Sequence, residues 1–70
     1  MVETKDFFRA PKGKFRVILQ DCRLGINWSL IGDYADWDLA EKKAISKSGD
    51  GMVVHIYDDK AEHLQEYGKF

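Results

Sequence analysis

The stretch "DWDLAEKKAISKSGDG", Asp36 to Gly51, carries the chain's helical periodicity, and a pair of alternating runs lies on each side of it. That placement constrains the fold more than any other feature: one helix covers one face of a sheet, so the other face has to find different cover. Asp36 is the expected N-cap, with acid at Asp38 and Glu41 in the early turns and Lys47 near the end. Gly49 stands where a left-handed residue closes a helix. Trp37, Ala40, Ala44 and Ile45 share one stripe, with Lys42, Lys43 and Ser46 opposite and Leu39 off the stripe. The small alanines predict a close approach to a sheet.

"KFRVILQD", Lys14 to Asp21, alternates as a strand does, and "WSLIGDY", Trp28 to Tyr34, follows after the loop "CRLGIN", whose Gly25 is free to take a positive φ. Gly32 marks a bulge or a close backbone approach. "MVVHIY" and "EHLQEY" form the second hairpin around an Asp-rich turn, "DDKA". The predicted fold is α+β: a ββαββ order, a four-stranded antiparallel sheet and one helix packed on one face. Residues 14–70 form this domain, and residues 1–13, charged and ending in "APKG", form an N-terminal arm. Strict alternation puts Phe15, Val17, Leu19, Trp28, Leu30, Val54 and Ile56 beneath the helix. It leaves Arg16, Ile18, Ile31, Val53, His55 and Tyr57 on the opposite face, which is too apolar for a surface that meets only water.

Seventy residues make one small domain, which buries roughly 60% of its unfolded surface and has little room for a deep enclosed site. The 11 basic groups nearly balance the 12 acidic ones, so no overall field draws the protein to nucleic acid or to an anionic membrane. The charge is uneven along the chain: residues 1–25 carry +3 and residues 26–70 carry −4. A lone cysteine, Cys22, excludes an internal disulfide and a CxxC metal site. No signal peptide or membrane-spanning run is read from the sequence, and a reducing cytoplasm is the expected compartment.

The spacing Asp36, Ala40, Ala44, the helix exit "SGDG" and the ending that places Val53, Val54, His55, Asp59, Tyr67 and Gly68 resemble the small bacterial family called DUF2188. The resemblance runs from about Lys14 to Gly68, with Ala61 standing where the family's turn glycine would be. It implies the ββαββ fold and brings no catalytic residues, since that family has no established function.

His55, Asp58, Asp59 and His63 include the residue types of a metal site, which needs three or four ligands converging on one point. A turn closed by Tyr57 and Glu62, however, sets His55 against Leu64 and sends the two histidines to opposite faces. No metal and no cofactor is therefore expected. Cys22 follows Asp21, whose charge works against a reactive thiolate, and the chain has no Gly-rich phosphate loop. The sequence is thus read as a non-enzymatic protein-interaction module. Its partner is another protein or a second copy, met through the uncovered face or an edge strand. Phe7, Phe8, Arg16, Ile18, Ile31, Val53, His55 and Tyr57 are the candidate contact residues. The alternative is nucleic-acid binding by Arg9, Lys12, Lys14, Arg16 and Arg23 with Phe7, Phe8 and Phe15 interleaved, which an isoelectric point near 6.0 disfavours.

Overall fold

A computed structural model describes residues 7–69. Strands β1 (Phe15–Asp21), β2 (Asn27–Tyr34), β3 (Met52–Tyr57) and β4 (His63–Tyr67) form one antiparallel sheet in the order β2-β1-β3-β4, and helix α1 (Trp37–Lys47) lies between β2 and β3 in the chain. The order is ββαββ and the class α+β. Among the described residues no helix is long and apolar enough to cross a membrane.

Asp36 caps α1 as expected, its carboxylate accepting from the Asp38 amide at 2.9 Å. The helix closes differently from the expectation. Ser48, in extended conformation, ends it by giving its N–H to the carbonyls of Ala44 and Ile45, and Gly49 is not left-handed. Ala40 and Ala44 are fully buried, and with no side chain beyond Cβ they let α1 settle on Val17, Val54 and Ile56 of the central strands. Burying each of those three aliphatic side chains contributes about 1.5–3 kcal/mol. Phe15, Leu19, Ile31, Tyr34, Trp37 and Tyr67 pack around this core, with Trp37 edge-on to Phe15 at 5.4 Å. Ile45, assigned to the buried stripe, is exposed together with Leu39, and no contact in the structure explains either.

The sheet also departs from strict alternation. In β2 the pairing runs Val17 to Gly32 and then Ile18 to Leu30, so Ile31 is an extra residue in the ladder. Every side chain before it changes face. Trp28 and Leu30, expected beneath the helix, lie on the opposite face across from Gln20 and Ile18, and Ile31 packs toward the helix instead. Gly32 adjoins this bulge, where its presence in the sequence suggested one.

Candidate functional site

The face away from α1 is built from the alternate residues of β1 and β3, namely Arg16, Ile18 and Gln20 with Val53, His55 and Tyr57. β4 adds to it through a second irregularity. Its ladder runs Val54 to Tyr67, His55 to Glu66 and Ile56 to Gln65, then skips Leu64 and sets His63 opposite Tyr57. In a regular strand, residues three apart point to opposite faces; the unpaired Leu64 brings His63 and Glu66 to the same one. The expected separation of the histidines is therefore wrong. The loop after β3 spans one residue more than a Tyr57–Glu62 closure allows. Asp58 Oδ1 accepts from the amides of Lys60 and Glu62, at 2.8 and 2.9 Å, and Ala61 takes a left-handed φ of 62°.

The resulting geometry is a short relay. His55 Nε2 donates to Gln20 Oε1 at 2.9 Å, and since that oxygen only accepts, the His55 proton sits on Nε2 and the lone pair on Nδ1. Nδ1 faces His63 Nε2 at 3.0 Å, and Glu66 Oε1 stands 3.7 Å from the same His63 nitrogen. His55 is only 7% exposed, and burial, with the His63 charge second, pushes its pKa below the ordinary histidine value while Glu66 pulls the other way. Trp28 lies 5.7 Å from the His55 ring, and Tyr57 lies 5.1 Å from His63 and 6.3 Å from His55, so the imidazoles are held between aromatic rings. Asp58 and Asp59 take no part: Asp58 is committed to its turn, and Asp59 Oδ2 accepts from the Gly13 amide at 3.0 Å.

The described part of the arm lies on the same face. Phe8 packs against Trp28 at 5.2 Å and Tyr57 at 5.0 Å, with Phe7 edge-on to it at 5.3 Å. Arg16 forms a two-point ion pair with Asp33, at 2.8 and 3.1 Å, and gives a third bond to the Phe7 carbonyl at 2.9 Å. Ala10 is buried and its amide donates to the Asp58 carbonyl at 3.0 Å. The cover for this face thus comes at least partly from the chain itself.

These contacts redistribute the candidate residues. Ile18, Val53 and His55 lie on the expected face but are buried, and Ile31 lies on the other face. Phe7, Phe8, Arg16 and Tyr57 are partly buried in contacts within the domain. The nucleic-acid reading weakens too, because Arg16 and Arg23 are paired with Asp33 and Asp21, and Phe8 and Phe15 are packed against other rings. A depression in the β1–β2 loop, lined by Asp21, Arg23, Leu24 and Asn27, has its charges satisfied internally by that same pair. Cys22 is half-buried, its sulfur 3.9 Å from the Gln20 carbonyl oxygen.

Two features escaped the sequence reading. One is the His55, His63 and Glu66 cluster. The other is an exposed apolar row along β2 and the loop before it, with Leu24 94% exposed, Ile26 65%, Trp28 42% and Leu30 47%. Comparison with protein-family models, with curated proteins and with solved structures finds no match. Residue roles therefore rest on geometry alone.

Proposed function

We propose that this protein is a non-enzymatic interaction module that pairs with a second copy of itself through the free edge of β2. The observation that carries the reading is the contrast between the two sheet edges. β4 is five residues long, interrupted at Leu64, and bears His63 and Glu66, features that discourage pairing with another chain. β2 is eight residues long and carries no charge from Asn27 to Gly32, and Ile26, Trp28 and Leu30 are exposed on it or just ahead of it. Among the described residues its outer side has no strand partner. An antiparallel pairing of β2 with its own copy satisfies the open backbone groups and covers Trp28 and Leu30 in one step. A chain of 70 residues, short of burial by itself, gains stability from that cover. The free thiol of Cys22 fits a reducing compartment, and the cytoplasm is part of the same proposal.

Sedimentation equilibrium at micromolar concentration tests the reading. A concentration-dependent dimer is expected, and Leu30→Lys, which sets two like charges close together across the new edge, should shift it to monomer without unfolding the chain. A wild-type protein that stays monomeric throughout sinks the proposal.

A further inference from the structure

We propose that His55, His63 and Glu66 form a three-ligand site for a divalent first-row transition-metal ion, zinc foremost, with a fourth position open to solvent. His55, His63 and Glu66 each offer one donor atom, an imidazole nitrogen or a carboxylate oxygen, and these three atoms all lie within 4.8 Å of one another. Metal–nitrogen and metal–oxygen bonds of about 2.0–2.2 Å in a tetrahedron place donors roughly 3.3–3.5 Å apart. The separations here are 3.0 Å between the two imidazole nitrogens and 3.7 Å from His63 to Glu66. The first has to widen and the second to close by a few tenths of an ångström, and the third, from His55 to Glu66, lies within 4.8 Å and closes as Glu66 moves in. Both His63 and Glu66 belong to the exposed edge strand, where such adjustment is easy.

Three independent features favour a metal over a plain hydrogen bond. The first is the tautomer: the bond to Gln20 fixes the His55 proton on Nε2 and aims the Nδ1 lone pair at the cluster, as outer-shell partners do for metal-bound histidines. Gln20 is itself buried, so the orientation is built into the sheet. The second is the bulge at Leu64, without which His63 and Glu66 would point to opposite faces. The third is the composition of the set, since two imidazoles and one carboxylate suit zinc and its neighbours in the first row. On binding, the proton that His63 Nε2 shares with His55 Nδ1 has to leave that nitrogen, to Nδ1 of the same ring or to solvent, so that both imidazoles offer the ion a lone pair. His63 and Glu66 are exposed, which leaves a route for the ion and room for a water ligand.

Calorimetric titration of the full chain with zinc, and cobalt(II) absorption in the visible region, test the assignment. One ion per chain is expected at micromolar affinity, with a four-coordinate cobalt spectrum. His63→Ala and Glu66→Gln, both at exposed positions, should each weaken binding by about tenfold or more while the metal-free variants keep the wild-type circular dichroism. Leu30→Lys should bind as wild type does, which separates this inference from the β2 pairing. No binding at micromolar metal, or binding that both ligand variants leave unchanged, overturns it.

Discussion

Gly68 has a steric role in the structure that a substitution can measure. It follows β4 with a φ of 106°, and a Cβ at that position would overlap the Met52 carbonyl oxygen and stand 3.1 Å from the Met52 carbonyl carbon and 3.2 Å from the Val53 Cα. All three atoms are backbone. Met52 is paired with Asp21 and bonded at both its amide and its carbonyl to Gly49, each at 3.0 Å, so the obstacle cannot rotate aside as a side chain would. A backbone conformation that L-residues avoid costs about 1–3 kcal/mol. Relief by moving the chain end would strain the bonds of Lys69 with Gly49 and Gly51, at 3.2 and 2.8 Å, worth about 0.5–1.5 kcal/mol each. Gly68→Ala should therefore cost about 3 kcal/mol, a large share of the roughly 3.5–10 kcal/mol expected for a chain of this length. At about 4–8 °C per kcal/mol, the midpoint of thermal unfolding should fall by roughly 12–24 °C.

Gly13 supplies the control. It also has a positive φ, 79°, but a Cβ there meets nothing within 4 Å, so Gly13→Ala should lose only the conformational share, about 1 kcal/mol. Urea unfolding followed by circular dichroism and by the fluorescence of Trp28 and Trp37 gives both values. If the two substitutions agree to within about 0.5 kcal/mol, the close approach to Met52 is not what makes residue 68 a glycine.

The opposite exchange applies at Ala61, which holds a φ of 62° without being glycine. Ala61→Gly should raise stability by up to about 1 kcal/mol in the same urea experiment, and a loss instead would mean that the turn tolerates the alanine without strain. Asp21 gives a pH dependence. Arg23, by side-chain and backbone hydrogen bonds, holds its carboxyl down to about 2. Since the folded value lies below the unfolded one, near about 3.9, the contribution is whole above that range and is lost as the pH falls toward 2. Wild type should therefore lose more stability than Asp21→Asn across that window, and parallel pH profiles would refute the pairing.

The parts of the fold that depend on local pattern were legible. Asp36 at the helix start, the two alanines on its buried side and the ββαββ order follow from spacing alone. So do the inward residues of β1 and β3, because these central strands run without interruption: Phe15, Val17 and Leu19, and Val54 and Ile56, pack toward α1 as alternation predicts. The edge strands were misread. A period-two pattern carries no sign that one residue will be left out of the ladder, and one omission reverses every assignment beyond it. That effect explains the misplacement of Trp28, Leu30 and Ile31, while the false separation of His55 from His63 comes from closing the turn one residue early, at Tyr57 and Glu62 instead of Tyr57 and His63. Gly32 pointed to the first bulge, yet nothing in "EHLQEY" marks the second.

Both bulges act in the same direction, and this connects the two candidate surfaces. Counted by plain alternation from Tyr34, Leu30 and Trp28 would face the helix; the extra Ile31 sends them to the other side. Counted from Tyr67, His63 would face the helix as well, and the extra Leu64 sends it beside His55. The helix side centres on aliphatic residues over alanine, rimmed by Phe15, Tyr34, Trp37 and Tyr67, a mainly apolar composition that close packing accounts for. The other side gathers an indole, two imidazoles, a phenol and a carboxylate around a buried glutamine, and hydrophobic cover requires none of these polar groups. Bulges in edge strands re-aim side chains that a regular ladder would place elsewhere. Here they set His63 beside His55 and leave Trp28 and Leu30 on an open edge, so the proposed metal site and the proposed pairing edge both arise from departures from regular β geometry on either side of an undistorted central pair.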